Sequence, residues 1–94
     1  MVDFWAEWCG PCRQLSPTLD AVAREFAGAV QVLKVNVDQE PELAARFGVQ
    51  AIPTLLLFDR GQSVDRIVGV LAPAALRERI GRAFGLGPAG GRRP

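Results

Sequence analysis

Trp8-Cys9-Gly10-Pro11-Cys12 is the stretch around which the whole chain is organised, because it contains both of its cysteines. The 94 residues include no histidine. A cysteine thiolate is a strong nucleophile, and a second thiol three positions along the chain can attack the mixed disulfide that the first one forms. The spacing therefore predicts a redox-active pair of thiols at Cys9 and Cys12.

The order of the two cysteines predicts their roles. Gly10 and Pro11 bend the chain between them, and proline suits the first turn of a helix because its missing N–H is not needed there. Cys9 is therefore expected at a helix N-terminus, where free N–H groups and the helix dipole favour a negative charge and lower a thiol pKa. We predict that Cys9 is the attacking thiolate and that Cys12, one turn further in and more buried, is the resolving thiol.

A zinc site and a pair of unreactive thiols are the alternative interpretations of Cys9 and Cys12. A structural zinc ion takes about four ligands, mostly cysteine and histidine. The sequence offers two cysteines and no histidine, so it disfavours a zinc site within one chain. We predict neither a metal ion nor a bound cofactor.

Composition limits the classes of function. Hydrophobic residues make up 49% of the chain and charged residues 22%, which is typical of one small globular domain. A net charge of +1 gives no reason to expect nucleic acid or an acidic membrane as a partner. The longest apolar run, residues 55–58, is far shorter than the roughly 20 residues of a membrane span. The first residues show no signal-peptide pattern. Both cysteines belong to a reactive motif and none is left for a structural disulfide, which suits a reducing cytoplasm.

The spacing of apolar residues predicts an α/β fold of seven elements in the order β-α-β-α-β-β-α. Strands are expected over residues 2–6, 30–37, 55–58 and 63–70, and helices over residues 9–27, 41–47 and 73–84. A crossover helix makes the first two strands parallel, and a hairpin makes the last two antiparallel. We predict a domain over residues 1–84, with a four-stranded mixed sheet flanked by helices, and a disordered Gly/Pro/Arg tail over residues 85–94.

Asp3 and Lys34 are polar residues in strands that are otherwise apolar. A carboxylate in a central strand is costly unless it is paired or protonated, and the alternative is an edge strand with one face in water. Lys34 can be a surface lysine whose aliphatic stem covers apolar surface. The strand over residues 30–37 is largely apolar on both faces, which predicts cover on both sides.

The segment of residues 2–12 resembles the active-site segment of thioredoxins almost residue for residue, and Ile52-Pro53-Thr54 and Val68-Gly69 match later segments of that family. A Cys-x-x-Cys pair beside a strand-helix-strand pattern is itself a known signature of thioredoxin-like redox sites. The resemblance covers about residues 2–84. It implies the thioredoxin fold and a protein-disulfide reductase.

The resemblance also implies roles for individual residues. Asp3 would lie buried beneath Cys12 and help to take its proton, with Lys34 as a partner of the carboxylate, and Pro53 would be cis and lie against the cysteines. An extended substrate would pair with the backbone at Ile52. The implied substrate-docking surface comprises Trp8, Gly10, Pro11, Val37, Ala51, Ile52, Pro53, Val68, Gly69 and Val70. The implied partners are disulfide-containing proteins and a thioredoxin reductase that draws on NADPH.

The sequence departs from the family at its front. Thioredoxins carry a strand and a helix before this core, and Met1 stands where the first core strand begins. We therefore expect the strand of residues 30–37 to be an unprotected edge, with Leu43 or Phe47 exposed nearby. The prediction is self-association through this edge.

Two other functions and one failure to fold remain as alternatives. One is a disulfide oxidant or isomerase of an oxidising compartment, which Gly10-Pro11 disfavours because in the wider family that dipeptide accompanies reductants. Another is a non-catalytic binding module with the same fold. The third is a chain that folds poorly by itself.

Overall fold

The computed structural model describes residues 1–86, which form three helices and four strands in the predicted order. The strands are β1 (Val2–Trp5), β2 (Leu33–Asn36), β3 (Thr54–Asp59) and β4 (Gln62–Val68), and the helices are α1 (Gly10–Glu25), α2 (Pro41–Arg46) and α3 (Pro73–Phe84). The largest difference from prediction is at β2, which begins at Leu33 rather than at Val30. Val30 instead packs into the core, where it is 8% exposed.

The sheet has the strand order β2-β1-β3-β4. β1 runs parallel to β2 and antiparallel to β3, and β3 and β4 form an antiparallel hairpin. The hairpin turn holds Arg60 and Gly61 at φ 55° and 79°, and positive φ at both residues matches the twist of paired strands. Because β1 is an interior strand, the edge-strand interpretation of Asp3 is wrong.

Each face of the sheet has its own apolar core. Helices α1 and α3 cover one face, and the loop after α1 also contributes to its core. This core contains Leu15, Leu19, Val22, Phe26, Val30, Leu55, Leu57, Ile67, Leu76 and Ile80. The other core lies under α2 and contains Phe4, Ala44 and Leu56. Phe47 contacts it from the end of α2, with ring centroids 6.2 Å from Phe4 and 5.6 Å from Phe58.

The surroundings of β2 differ from the prediction in two ways. Leu33 is 51% exposed, so the strand is not covered on both faces along its whole length. Leu43 and Phe47 are half-buried rather than exposed, because α2 packs down onto the sheet. The prediction of an edge strand at this position is confirmed.

The core extends slightly beyond the predicted boundary at residue 84. Gly85 ends α3 in the left-handed conformation at φ 65°, and the Leu86 N–H donates to the Gly81 carbonyl at 2.8 Å. Leu86 is 3% exposed and belongs to the core under α1 and α3. The remainder of the predicted tail, residues 87–94, lies outside the described residues.

Candidate active site

Cys9 and Cys12 lie at the N-terminal end of α1 and form a disulfide, with Cα atoms 5.3 Å apart. Cys9 is the N-cap residue, and its Sγ accepts a hydrogen bond from the Cys12 N–H at 3.2 Å. Pro11 lies in the first turn of the helix, as predicted. In the reduced protein, this N–H and the helix dipole favour a thiolate at Cys9.

Burial does not distinguish the two cysteines in the expected direction. We predicted that Cys12 is the more buried, yet the exposed fractions are 4% for Cys9 and 6% for Cys12. Both cysteines pack in one cluster with Ala6 that Val37 and Ile52 contact, and Cys12 also lines a cavity. Depth therefore does not distinguish the two thiols, whereas their positions in the helix do.

A cavity of about 150 Å³ lies next to Cys12. Its lining residues are Asp3, Trp5, Cys12, Arg13, Ser16 and Lys34. Two buried atoms, Asp3 Oδ1 and Trp5 Nε1, have no hydrogen-bond partner within residues 1–86. The cavity thus places a carboxyl group in one space with the second sulfur of the redox pair, as the resemblance implied.

The Asp3 carboxyl holds its proton unusually well. Burial raises its pKa from the ordinary 3.8 to about 6, while the positive charge of Lys34 opposes this increase. A carboxyl group with a pKa just below neutral is ionised at neutral pH and still basic enough to accept a proton in a transition state. Asp3 therefore has the chemistry of a general base.

Lys34 fits both predicted interpretations, a surface lysine and a charged neighbour of Asp3. It is a surface residue with a side chain 41% exposed, and its Nζ lies 3.5 Å from Asp20 Oδ1 and 3.5 Å from Ser16 Oγ. Its strand position is directly opposite Asp3, and its charge lowers the pKa of that carboxyl. Lys34 acts on Asp3 through space, and its direct ion pair is with Asp20.

An apolar groove of about 410 Å³ lies beside the cysteines. It is lined by Trp8, Val37, Ala44, Val49, Gln50, Ala51 and Ile52, which include four residues of the predicted docking surface. Trp8 is 68% exposed, and its Nε1 donates to Asp38 Oδ2 at 2.8 Å. Asp38 was not predicted, because it is 30 positions from Trp8 and no local pattern links them.

The other predicted docking residues do not line this groove; they are Gly10, Pro11, Pro53, Val68, Gly69 and Val70. The Ile52–Pro53 bond is cis, and the Pro53 carbonyl accepts from the Gly69 N–H at 2.9 Å. This bond places the next residues of the surface beside Pro53, and Val68 and Val70 are 60% and 43% exposed. Gly69 has φ +91°, which favours glycine there. Gly10 and Pro11 are exposed at the start of α1 and are not among the groove-lining residues.

No group of three or more histidine, cysteine or acidic side chains lies together within residues 1–86 as a metal site would require. In the same part of the chain, no helix has the length and apolar character needed to cross a bilayer.

Known proteins place the chain in a family. A family model described as Thioredoxin matches residues 1–82. Thioredoxin 1 of Nostoc sp. is 44% identical over 80 residues, a match that covers 85% of this chain and 75% of that protein. Thioredoxin of Synechocystis sp. is 45% identical over 80 residues, again covering 85% and 75%. Thioredoxin of Porphyra purpurea is 43% identical over 82 residues and covers 87% and 77%. The chain therefore belongs to the thioredoxin family.

Proposed function

We propose that this protein reduces disulfide bonds of other proteins by dithiol–disulfide exchange. The observation that carries the proposal is the Cys9–Cys12 disulfide at the N-terminus of α1. The apolar groove beside it offers room for an extended polypeptide, and the family relatives are thioredoxins by name. Reduction rather than oxidation is favoured by Gly10-Pro11 between the cysteines.

The reaction begins with the reduced pair. The Cys9 thiolate attacks one sulfur of the substrate disulfide, the substrate S–S bond breaks, and the other substrate sulfur leaves as a thiolate that is protonated. Cys12 then gives its proton to the Asp3 carboxylate, and its thiolate attacks the Cys9 sulfur. The Cys9–Cys12 bond forms, the mixed disulfide breaks, and the second substrate thiolate is released. Two electrons pass from the cysteine pair to the substrate.

Substrate docking is assigned to the groove and its surroundings. An extended segment adds as a strand to the backbone at Ile52, and apolar side chains pack on Trp8 and Val68. Both of these residues are well exposed, at 68% and 60%, and are therefore accessible to a substrate. Pro53 directly follows the groove-lining Ile52, and its carbonyl accepts from the Gly69 N–H, which links the groove to the segment that carries Val68.

Turnover needs a donor of two electrons that reduces the Cys9–Cys12 disulfide. We assign this step to a thioredoxin reductase that draws on NADPH, and we place the protein in the cytoplasm, where a reducing thiol pool keeps such a pair active. No metal or cofactor takes part in the exchange itself.

Two cysteine variants test the mechanism. Cys12→Ser should accumulate mixed disulfides with substrate proteins, because the resolving thiol is missing, and Cys9→Ser should accumulate none. Non-reducing gels with mass spectrometry measure both. Faster alkylation of Cys12 than of Cys9 at neutral pH would reverse the assignment. A measured reduction potential near those of protein-disulfide isomerases, about −180 mV, would favour the oxidant or isomerase.

We also propose a weak dimer formed through β2. The Leu33 N–H donates to the Met1 carbonyl and the Val37 N–H to the Trp5 carbonyl, so the backbone of Lys34 and the N–H of Asn36 face the side of β2 that has no strand partner within residues 1–86. The Asn36 carbonyl is already used, because it accepts from the Gln39 and Glu40 N–H groups. Antiparallel pairing about a two-fold axis can place Lys34 opposite Asn36 of a second copy, which avoids contact between like charges. A four-residue strand with a lysine limits the strength of such pairing.

Sedimentation across a dilution series tests the dimer. We expect association at high micromolar concentration that weakens when Leu33, the exposed apolar residue of this edge, becomes aspartate. If the wild-type protein stays monomeric at that concentration and melts cooperatively, the β2 edge does not pair with a second copy.

A further inference from the structure

Arg66 reaches from the sheet to the end of α2. Its strand position is opposite Leu56, so its side chain lies on the α2 face. The guanidinium donates to the carbonyl oxygen of Phe47 through Nη2 and to that of Gly48 through Nη1 at 3.4 Å. The last carbonyls of a helix have no partner within the helix, and a cation is favourable beside them.

The two carbonyls that Arg66 contacts directly precede the segment that forms one wall of the apolar groove. Residues 49–52 follow directly and line the groove. The far end of this segment is held by the Thr54 hydroxyl, which donates to the Ala51 carbonyl at 2.5 Å, and by the Gly69 N–H at the Pro53 carbonyl. Arg66 supplies the side-chain contact at the near end.

Arg66 is itself held by a neighbouring ion pair. Arg79 of α3 donates two hydrogen bonds to the Asp65 carboxylate, both at 2.7 Å, and a third to the Arg66 carbonyl at 3.3 Å. The Arg66 N–H donates to Asp65 Oδ1 at 2.8 Å. A line of polar contacts therefore runs from α3 through β4 to the start of the groove wall.

We propose that Arg66 is a positioning residue for the docking of protein substrates. By fixing the carbonyls before residue 49, it holds the groove wall in the form that an extended substrate meets at Ile52. Order imposed before binding lowers the entropic cost of binding, so loss of Arg66 should weaken substrate docking and leave the thiol chemistry unchanged. The inference rests on the proposed reductase function.

The test compares two disulfide substrates in the full chain: insulin, with dithiothreitol as the reductant, and a small aromatic disulfide, which is mixed with protein that has been reduced beforehand and freed of dithiothreitol. Insulin requires docking, whereas a small aromatic disulfide needs only access to Cys9. Arg66→Gln should raise KM for insulin about 3- to 10-fold, with kcat within about twofold and the rate with the small disulfide unchanged. Arg66→Lys keeps the charge but lacks the planar fork, so it should recover part of this loss.

Arg82→Gln is the matched control, because it removes the same charge from an exposed pair with Glu78 on α3. It should leave KM for insulin unchanged. Amide hydrogen exchange gives a second measurement, in which Arg66→Gln should speed exchange at Val49 and Gln50 relative to the control.

Three outcomes would overturn the inference. An unchanged KM for insulin in Arg66→Gln would show that the contact does not serve docking. An equal loss with both substrates, in a variant that melts like the wild type, would place Arg66 in the thiol chemistry instead. These two outcomes leave the reductase function intact, whereas a wild-type protein that reduces neither substrate would defeat that function and the docking role with it.

Discussion

Asp3 and Asp65 lie on the same face of the same sheet, and their surroundings move their pKa values in opposite directions. Asp3 is paired across the sheet with Leu55 and Asp65 with Leu57, and both leucines belong to the core under α1 and α3. Burial raises the pKa of Asp3 to about 6. Hydrogen bonds from Arg79 hold the pKa of Asp65 below its ordinary value.

The difference comes from the helix that covers each carboxylate. Helix α3 gives Asp65 a bidentate guanidinium, which is a strong partner for a carboxylate. On the side of helix α1, Asp3 faces a cavity that Cys12 also lines. Its Oδ1 has no hydrogen-bond partner within residues 1–86. One carboxylate is therefore fixed in its ionised form and stabilises the fold, whereas the other is free to exchange a proton beside a reactive sulfur.

Among the variants that test this difference between Asp3 and Asp65, Asp3→Asn should have the largest effect on activity. An amide cannot accept the Cys12 proton, so resolution of the mixed disulfide should slow about 100-fold at neutral pH. Single-turnover kinetics with an alkylation quench would measure the intermediate. Attack by Cys9 should remain near the wild-type rate, and an unchanged resolution step would remove Asp3 from the mechanism.

The same variant should be more stable than the wild type above pH 6. Between pH 3.8 and about 6 the folded state holds a proton at Asp3 that the unfolded chain has released, so stability falls as pH rises through that window. Since one pKa unit corresponds to about 1.36 kcal/mol, ionised Asp3 lowers the free energy of unfolding by about 3 kcal/mol. Urea unfolding at pH 8 should show this gain for Asp3→Asn, and at pH 3.5 the difference should largely vanish. A variant less stable at pH 8 would contradict the raised pKa.

Asp65→Asn should have the opposite sign. A lowered pKa stabilises the fold above the unfolded pKa, and this contribution is lost as pH falls. Removal of the charge should destabilise the protein on the order of 1 kcal/mol at pH 7, because the pair with Arg79 is bidentate and partly buried. The rate with a small disulfide should not change. If this variant slowed that rate as Asp3→Asn does, the two carboxylates would not have separate roles.

Lys34→Gln should have the smallest effect. Loss of the positive charge removes the interaction that lowers the pKa of Asp3, so the pH profile of the resolution step should move to higher pH. Asp20→Asn, which removes the partner that Lys34 contacts, is the matched control and should move the profile to lower pH. Both displacements should shrink in high salt, because these side chains are exposed. Movement in the same direction would show that charge is not the cause.

Local patterns in the sequence were enough to predict the element order and the start of α1. The spacing of Leu15, Leu19 and Val22 predicts one buried helix face, and Pro11 favours the first helical turn. The redox pair and its position at a helix N-terminus therefore followed from residues within one turn of one another. The cis bond at Pro53 and the place of Asp3 in one cavity with Cys12 followed from the family resemblance, since no local pattern indicates them.

Tertiary structure alone decided which distant groups meet. Trp8 bonds Asp38, Lys34 pairs with Asp20, and Arg66 reaches the end of α2, across separations of 14 to 30 positions. The two cysteines are about equally buried because of what packs around them, not because of their order. Such contacts depend on strand register and on how each helix packs against the sheet, whereas apolar spacing in a sequence reports only which face of an element is buried.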